Sequence, residues 1–115
     1  MDLDKLPVVD WELAMKLAGN NQDIAKEILA LFIKNIPGEL TAINQSFQNK
    51  NYQEMGKQLH KLHGALCYCG LPRIKMLVAQ LESSLKNNVT DDLSAHVELL
   101  NQEVNDLLAN YAKSA

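Results

Sequence analysis

The sequence predicts an all-α protein: an antiparallel four-helix bundle with a short additional N-terminal helix. Three observations carry this reading. Residue types that favour strands and tight turns are scarce, with aromatics at 5%, three prolines and five glycines. Apolar residues recur at alternating spacings of three and four along the long segments, the period of a helix buried on one side. Short polar turns separate those segments, which makes successive helices antiparallel neighbours.

In chain order, residues 1–9 read as a lead-in and residues 10–115 as a single domain. Asp10 can cap a short helix from Trp11 to Ala18, with Trp11, Ala14, Met15 and Ala18 on its apolar side. Gly19-Asn20-Asn21 ends it, and Asn20 or Asn21 caps the next. Gln22 to Asn35 places Ile24, Ile28, Leu31 and Phe32 at helical spacing. Pro37 is expected to kink or break the helix, because its ring disfavours helical geometry at Ile36 and removes a donor. Glu39 to Gln48 resumes the pattern through Leu40, Ile43 and Phe47.

Asn51 can cap a helix from Tyr52 to about Cys69, with Gly70 as its C-terminal stop. Pro72 fits the first turn of the following helix, where a missing donor does no harm, and that helix runs to about Lys86. Thr90 or Asp91 caps the last helix, from about Asp92 to Ala112. Its seam of Leu93, Val97, Leu100, Val104, Leu107 and Tyr111 suits bundle packing near 20°. Trp11 is expected to pin the first helix across the bundle, or else to join a docking surface. Met15, Met55 and Met76 read as core, Cys67 and Cys69 as small packing residues, and His96 as a surface residue.

Composition narrows the function. A net charge of -3 provides no footprint for nucleic acid and no basic face for anionic lipid. No apolar run approaches the ~18 residues of a membrane span, and Met1 to Asp10 lacks the pattern of a signal peptide. Cys67 and Cys69 would point about 200° apart on a helix and so cannot bridge each other. A reduced cytoplasmic setting follows.

The chemistry-bearing stretch is Gly56 to Gly64, which holds two of the three histidines. Tyr52, Met55, Leu59, Leu62, Leu66 and Cys69 form the buried seam of its helix. His60 lies roughly 130° from the centre of that seam and His63 about 70°. His60 should therefore face solvent or a partner, and His63 should be half covered. Gly56 and Gly64 remove side chains one turn before and one turn after His60, opening a flat approach. Lys57 and Lys61 supply positive charge beside it, suited to balancing a phosphoryl group. A neutral imidazole is a usable nucleophile near pH 7. There is no glycine-rich phosphate loop, so a phosphoryl donor would have to be another protein.

The run His60-Lys61-Leu62-His63-Gly64, followed by Gly70-Leu71-Pro72-Arg73, resembles the motif of histidine-containing phosphotransfer (HPt) domains. It is most similar to the C-terminal HPt domain of BarA-type hybrid sensor kinases, and the likeness spans nearly the whole chain. The resemblance implies that His60 is the phosphorylated residue and that Gly64 admits a receiver domain. His63 stands where the family often has Lys. Glu82 stands where many members hold the phosphohistidine ring with Gln. Leu13, Leu17 and Ile24 are expected either to supply an apolar docking patch near His60 for such a receiver or to face the core. The resemblance further implies a phosphoryl carrier with no kinase activity of its own. It would exchange phosphoryl groups with receiver domains of a hybrid sensor kinase and of a response regulator, and those receivers would supply Mg²⁺. No cofactor of its own is expected, and the domain is expected to be monomeric in isolation. It would lie in the cytoplasm, as a free protein or at the cytoplasmic end of an inner-membrane sensor kinase.

Two alternatives stand beside this. His60, His63 and Cys67 fall within about 60° of each other on the helix, a spacing zinc would accept, but no fourth ligand is evident. A bundle that only docks a partner would leave the Gly–His–Gly arrangement unexplained.

Overall fold

In a computed structural model, residues 3–112 are described. Met1, Asp2 and residues 113–115, which belong to the expected lead-in and the chain's end, lie outside the described residues. A single 3-10 turn, Leu3–Lys5, precedes five helices: α1 Trp11–Leu17, α2 Gln22–Gln48, α3 Tyr52–Leu66, α4 Pro72–Lys86 and α5 Leu93–Ala112. Helix α2 packs on α3, α3 on α4, α4 on α5, and α5 returns to α2, closing the bundle, while α1 lies against α2. The all-helical bundle with its extra N-terminal helix is as the sequence predicts.

Helix starts follow local hydrogen-bond chemistry. Side-chain oxygens of Asp10, Asn21 and Asn51 accept from the backbone N–H of Leu13, Ile24 and Glu54, satisfying donors the first turn leaves open. Each inter-helix turn contains a residue in the left-handed region: Gly19 and Asn20, Lys50, Gly70, then Asn88.

Three expectations about the elements are corrected. The chain does not break at Pro37: α2 is continuous from Gln22 to Gln48. Pro37 sits on its exposed side, while Leu29, Phe32, Ile36, Leu40 and Ile43 are buried along the opposite side. Loss of that continuous apolar ridge would outweigh the ~3 kcal/mol a helix-interior proline costs. Helix α3 ends at Leu66 rather than Cys69, because the chain tightens there into i to i+3 bonds, Cys67 N–H to Gly64 O and Tyr68 N–H to Ala65 O. Helix α5 begins at Leu93, one residue late.

Two side-chain expectations also change. Met76 is exposed rather than core, while Met55 is buried and Met15 half-buried. His96 is half-buried, its Nε2 lying 3.1 Å from the Gln80 amide nitrogen. The core itself runs through all four bundle helices, with Ile36, Leu59, Leu77, Leu81, Leu100 and Leu107 among its fully buried members. Polar ties cross between helices at its edge. Asn44 and Asn101 exchange amide hydrogen bonds of 2.8 and 2.9 Å between α2 and α5, and Arg73 donates to the buried Glu103 over 2.7 Å between α4 and α5.

Gly70 fastens α1 to the bundle. Its φ of +67° lies in the left-handed region, and its carbonyl accepts from Asp10 N–H at 2.9 Å. A Cβ there would meet Ala14 Cβ and Asp10 O at 2.8 Å and Ala14 N at 2.9 Å. Only glycine lets the α3–α4 turn approach the start of α1 so closely. At the other side of α1, the Trp11 ring lies 6.3 Å from that of Tyr111, tilted by 51°, which ties the short helix to α5 as expected of a pinning residue.

Candidate functional site

Helix α3 places its apolar seam inward and turns His60 out. Met55, Leu59, Leu62 and Leu66 are buried, so the helix cannot rotate without exposing them. The side chain of His60 is 80% exposed, that of His63 33%, and that of Glu82, on the neighbouring α4, 28%. The order of exposure of the two histidines is the one helix geometry predicts.

Glu82 meets both rings. One carboxylate oxygen lies 2.7 Å from His60 Nδ1, and the other lies 3.6 Å from His63 Nδ1. The first is a hydrogen bond; the second is within ion-pair reach but too long for a good one. An ionised carboxylate can only accept, so the proton of the His60 bond belongs to Nδ1. That choice leaves Nε2 with its lone pair, on an exposed ring whose orientation a partly buried group holds. Glu82 thus holds the His60 ring by its Nδ1 edge.

The surroundings keep this ring accessible. Gly64 is exposed and Gly56 half-buried, and a Cβ at either would meet nothing within 4 Å. Neither glycine is demanded by packing within this chain, in contrast to Gly70. Lys57 and Lys61 are exposed on the same helix. Leu13 and Leu17 come together with His63, Leu66, Cys67, Met76 and Ala79 around a groove of about 440 Å³ between α1, α3 and α4. Ile24 is exposed but does not line that groove.

A second apolar groove, of about 300 Å³, lies on the other side of α3, where Ile28, Leu31 and Phe32 face Ala65 and Tyr68. Leu31 and Tyr68 are each 61% exposed. The sequence places Leu31 in the helical repeat and Tyr68 in the run that follows His60, without giving Tyr68 a role. The available signal was the run Ile24, Ile28, Leu31 continuing beyond the width of one buried stripe, with Tyr68 one turn after Gly64.

The cysteines do not join the site. Cys67 donates its thiol to His63 O at 3.4 Å and Cys69 to Ala65 O at 3.2 Å. Burial, with a smaller contribution from Cys67, pushes the Cys69 thiol up to about 11, so it stays protonated and packs as a small apolar group. Among the described residues, no three His, Cys, Asp or Glu side chains converge as a metal site would require. Nor is any helix among them long and apolar enough to cross a membrane.

Taken together, these features define a class: a helical bundle that presents one oriented, exposed imidazole on an open face flanked by apolar grooves. The chain belongs to the Hpt domain family, whose model matches residues 27–110. It is 29% identical over 107 residues to the signal transduction histidine-protein kinase BarA of Escherichia coli (strain K12), a match covering 93% of this chain and 11% of that protein. It is 31% identical over 81 residues to the sensor protein GacS of Pseudomonas syringae pv. syringae, covering 70% of this chain and 9% of GacS. This chain therefore spans only about a tenth of the length of these relatives. A crystal structure of the HPT domain from a Shewanella sensor hybrid histidine kinase superposes with a TM-score of 0.84 and 27% identity. That match covers 98% of this chain and 95% of the other.

Proposed function

We propose that this chain is the phosphotransfer domain of a two-component phosphorelay, and that His60 carries the phosphoryl group. The observation that carries the proposal is the exposed His60 ring held at Nδ1 by Glu82, which leaves Nε2 free. Nε2 attacks the phosphorus of an aspartyl phosphate on a receiver domain. The N–P bond forms as the acyl P–O bond breaks, and the aspartate leaves as a carboxylate. Nδ1 keeps its proton throughout, so no general base is needed. The ring gains positive character as it is phosphorylated, and the Glu82 carboxylate stabilises it there, as a buried carboxylate does for an imidazolium in hydrolytic triads. Reversal of the same step passes the group to an aspartate on a second receiver.

Lys57 and Lys61 offer cationic partners for the phosphoryl oxygens. Leu13 and Leu17, and separately Ile24, offer apolar surface for reversible docking, while Gly56 and Gly64 leave clearance for it. In this reading the receiver supplies Mg²⁺, and the domain itself neither binds nucleotide nor acts as a kinase. Likeness to BarA and GacS supports a place at the cytoplasmic end of a hybrid sensor kinase, exchanging phosphoryl groups between that kinase's receiver and a response regulator.

The test is incubation with a radiolabelled phospho-receiver. Wild type and His63→Gln should acquire acid-labile, alkali-stable label, and His60→Gln should acquire none. Label on His60→Gln, or its loss only in His63→Gln, overturns the assignment.

A further inference from the structure

The carboxylate that holds His60 is itself held from a second side. One Glu82 oxygen lies 2.7 Å from His60 Nδ1, and the other lies 3.6 Å from His63 Nδ1. The two histidines stand three residues apart on α3, the spacing that sets side chains on one helix face, and Glu82 reaches both from α4. A bridge of this kind fixes the plane of the carboxylate as well as its position. The bond to His60 alone would fix it poorly, because that ring is the exposed partner and a glutamate loses rotamer entropy on being ordered. We propose that His63 is a positioning residue: it holds Glu82 in the orientation that accepts from His60 Nδ1, and so keeps His60 Nε2 as the nitrogen with the lone pair.

His63 is the firmer of the two anchors. It is half-buried and lines the groove between α1, α3 and α4 beside Leu66, Cys67, Met76 and Ala79. An ionised carboxylate can only accept, so it favours the tautomer with the proton on His63 Nδ1. At 3.6 Å that N–H makes no strong hydrogen bond, but its positive end still attracts the second oxygen. Without it the carboxylate has another cation to turn to. Lys86 is exposed four residues further along α4, the spacing and order at which a glutamate pairs with a lysine on a helix surface. In the structure Glu82 faces the two rings instead. The role is one of geometry and needs no change of charge at either ring.

The effect on rate rests on the reading of His60 as acceptor, whereas the effect on its tautomer does not, so both are measured. Imidazole nitrogen NMR of the unphosphorylated domain gives the His60 tautomer. Phosphoramidate gives its reactivity without receiver docking; the P–N bond breaks, its electron pair leaves with ammonia, and the bond to Nε2 forms. Wild type, His63→Leu and His63→Asn are compared at about pH 8.5, above the ordinary histidine range, so that ring protonation does not enter. Leucine fills the groove wall without an N–H, and the asparagine amide can place an N–H near the position of Nδ1. His63→Leu should move His60 toward the Nε2–H tautomer and slow its phosphorylation about threefold, the scale of one partly exposed charge contact. His63→Asn should recover most of both. In a Glu82→Ala background His63→Leu should change neither, because its route to His60 is gone. An unchanged tautomer in His63→Leu, equal losses with leucine and asparagine, or an undiminished loss in the Glu82→Ala background overturns the positioning role and leaves the acceptor assignment intact. Label on His60→Gln overturns the acceptor assignment, and the tautomers then still decide whether His63 holds Glu82.

Discussion

Leu59 and His60 are adjacent on α3 and divide the stability of the bundle from the chemistry proposed for it. Leu59 is fully buried in the bundle seam, whereas the neighbouring imidazole is 80% exposed and meets Glu82 of α4 at 2.7 Å. The step of about 100° between consecutive helical residues is all that separates them. The seam holds the helix still, and a still helix is what lets one exposed ring be held by one hydrogen bond. Substitutions on the two sides should therefore fail in different assays.

The largest effect expected is at His60. His60→Gln should abolish phosphoryl acceptance altogether while moving stability by no more than about 0.5 kcal/mol, the range for exposed sites. Thermal unfolding of wild type and variant, run beside the transfer assay, checks both halves. A large drop in melting temperature would mean that the ring is structural and that the division is drawn in the wrong place. Leu59→Ala is the converse. It removes a fully buried side chain from the seam and should cost about 2–5 kcal/mol, read from urea unfolding. The molecules still folded should accept phosphoryl groups at close to the wild-type rate.

Gly70→Ala comes next and concerns how α1 is held. The new methyl would sit 2.8–2.9 Å from Ala14 and the backbone of Asp10, in a left-handed conformation that disfavours a side chain. A loss of about 1–3 kcal/mol is expected. The Trp11 environment should change with it, because α1 carries that ring against Tyr111. Unchanged tryptophan fluorescence together with unchanged stability would show that α1 is fastened by other contacts.

How much of this was legible beforehand depended on whether the cause was local. The caps at Asp10, Asn21 and Asn51 and the exposure order of His60 and His63 follow from neighbours within one helical turn. The break considered at Pro37 does not occur because its local cost is real but is outweighed by a ridge buried against other helices, which no local window contains. Met76 was misjudged for a related reason: helical spacing places it next to the α4 seam, but the groove beneath α1 leaves that edge uncovered. The meeting of Glu82 with His60 lies between two helices, 22 residues apart in the chain. Family resemblance pointed to the position, and packing supplied the distance. The straddling of both rings by one carboxylate had no sequence signal.

Glu82 ranks below the seam and the turn in its expected effect. Glu82→Ala removes the acceptor that holds Nδ1–H, so the ring can swing and take the other tautomer, which has no lone pair on Nε2. A fall of about tenfold in the transfer rate corresponds to the ~1.4 kcal/mol typical of one hydrogen bond to a charged group at a partly exposed site. Glu82→Gln keeps an oxygen that can accept from Nδ1 and should restore most of that loss. If alanine and glutamine behaved alike, the carboxylate's charge rather than its positioning of the ring would be the quantity that matters.

The smallest effect separates the two kinds of glycine. Gly70 is needed by the fold, whereas Gly64 has open space where a side chain would go. Gly64→Ala should therefore stabilise the domain by roughly 1 kcal/mol, the difference between alanine and glycine inside a helix. If evolution of stability alone had shaped this position, alanine would serve it better, so its glycine points to a requirement from outside the chain. A longer side chain tests that requirement. Gly64→Gln should leave His60 as reactive as before toward phosphoramidate, a donor small enough to approach from any side. Transfer from a receiver domain, proposed to dock on this face of α3, should fall severalfold through weaker docking, seen as a raised KM with little change in kcat. Equal loss with both donors would place the defect in the His60 ring itself, and the open face would lose its meaning as a docking surface.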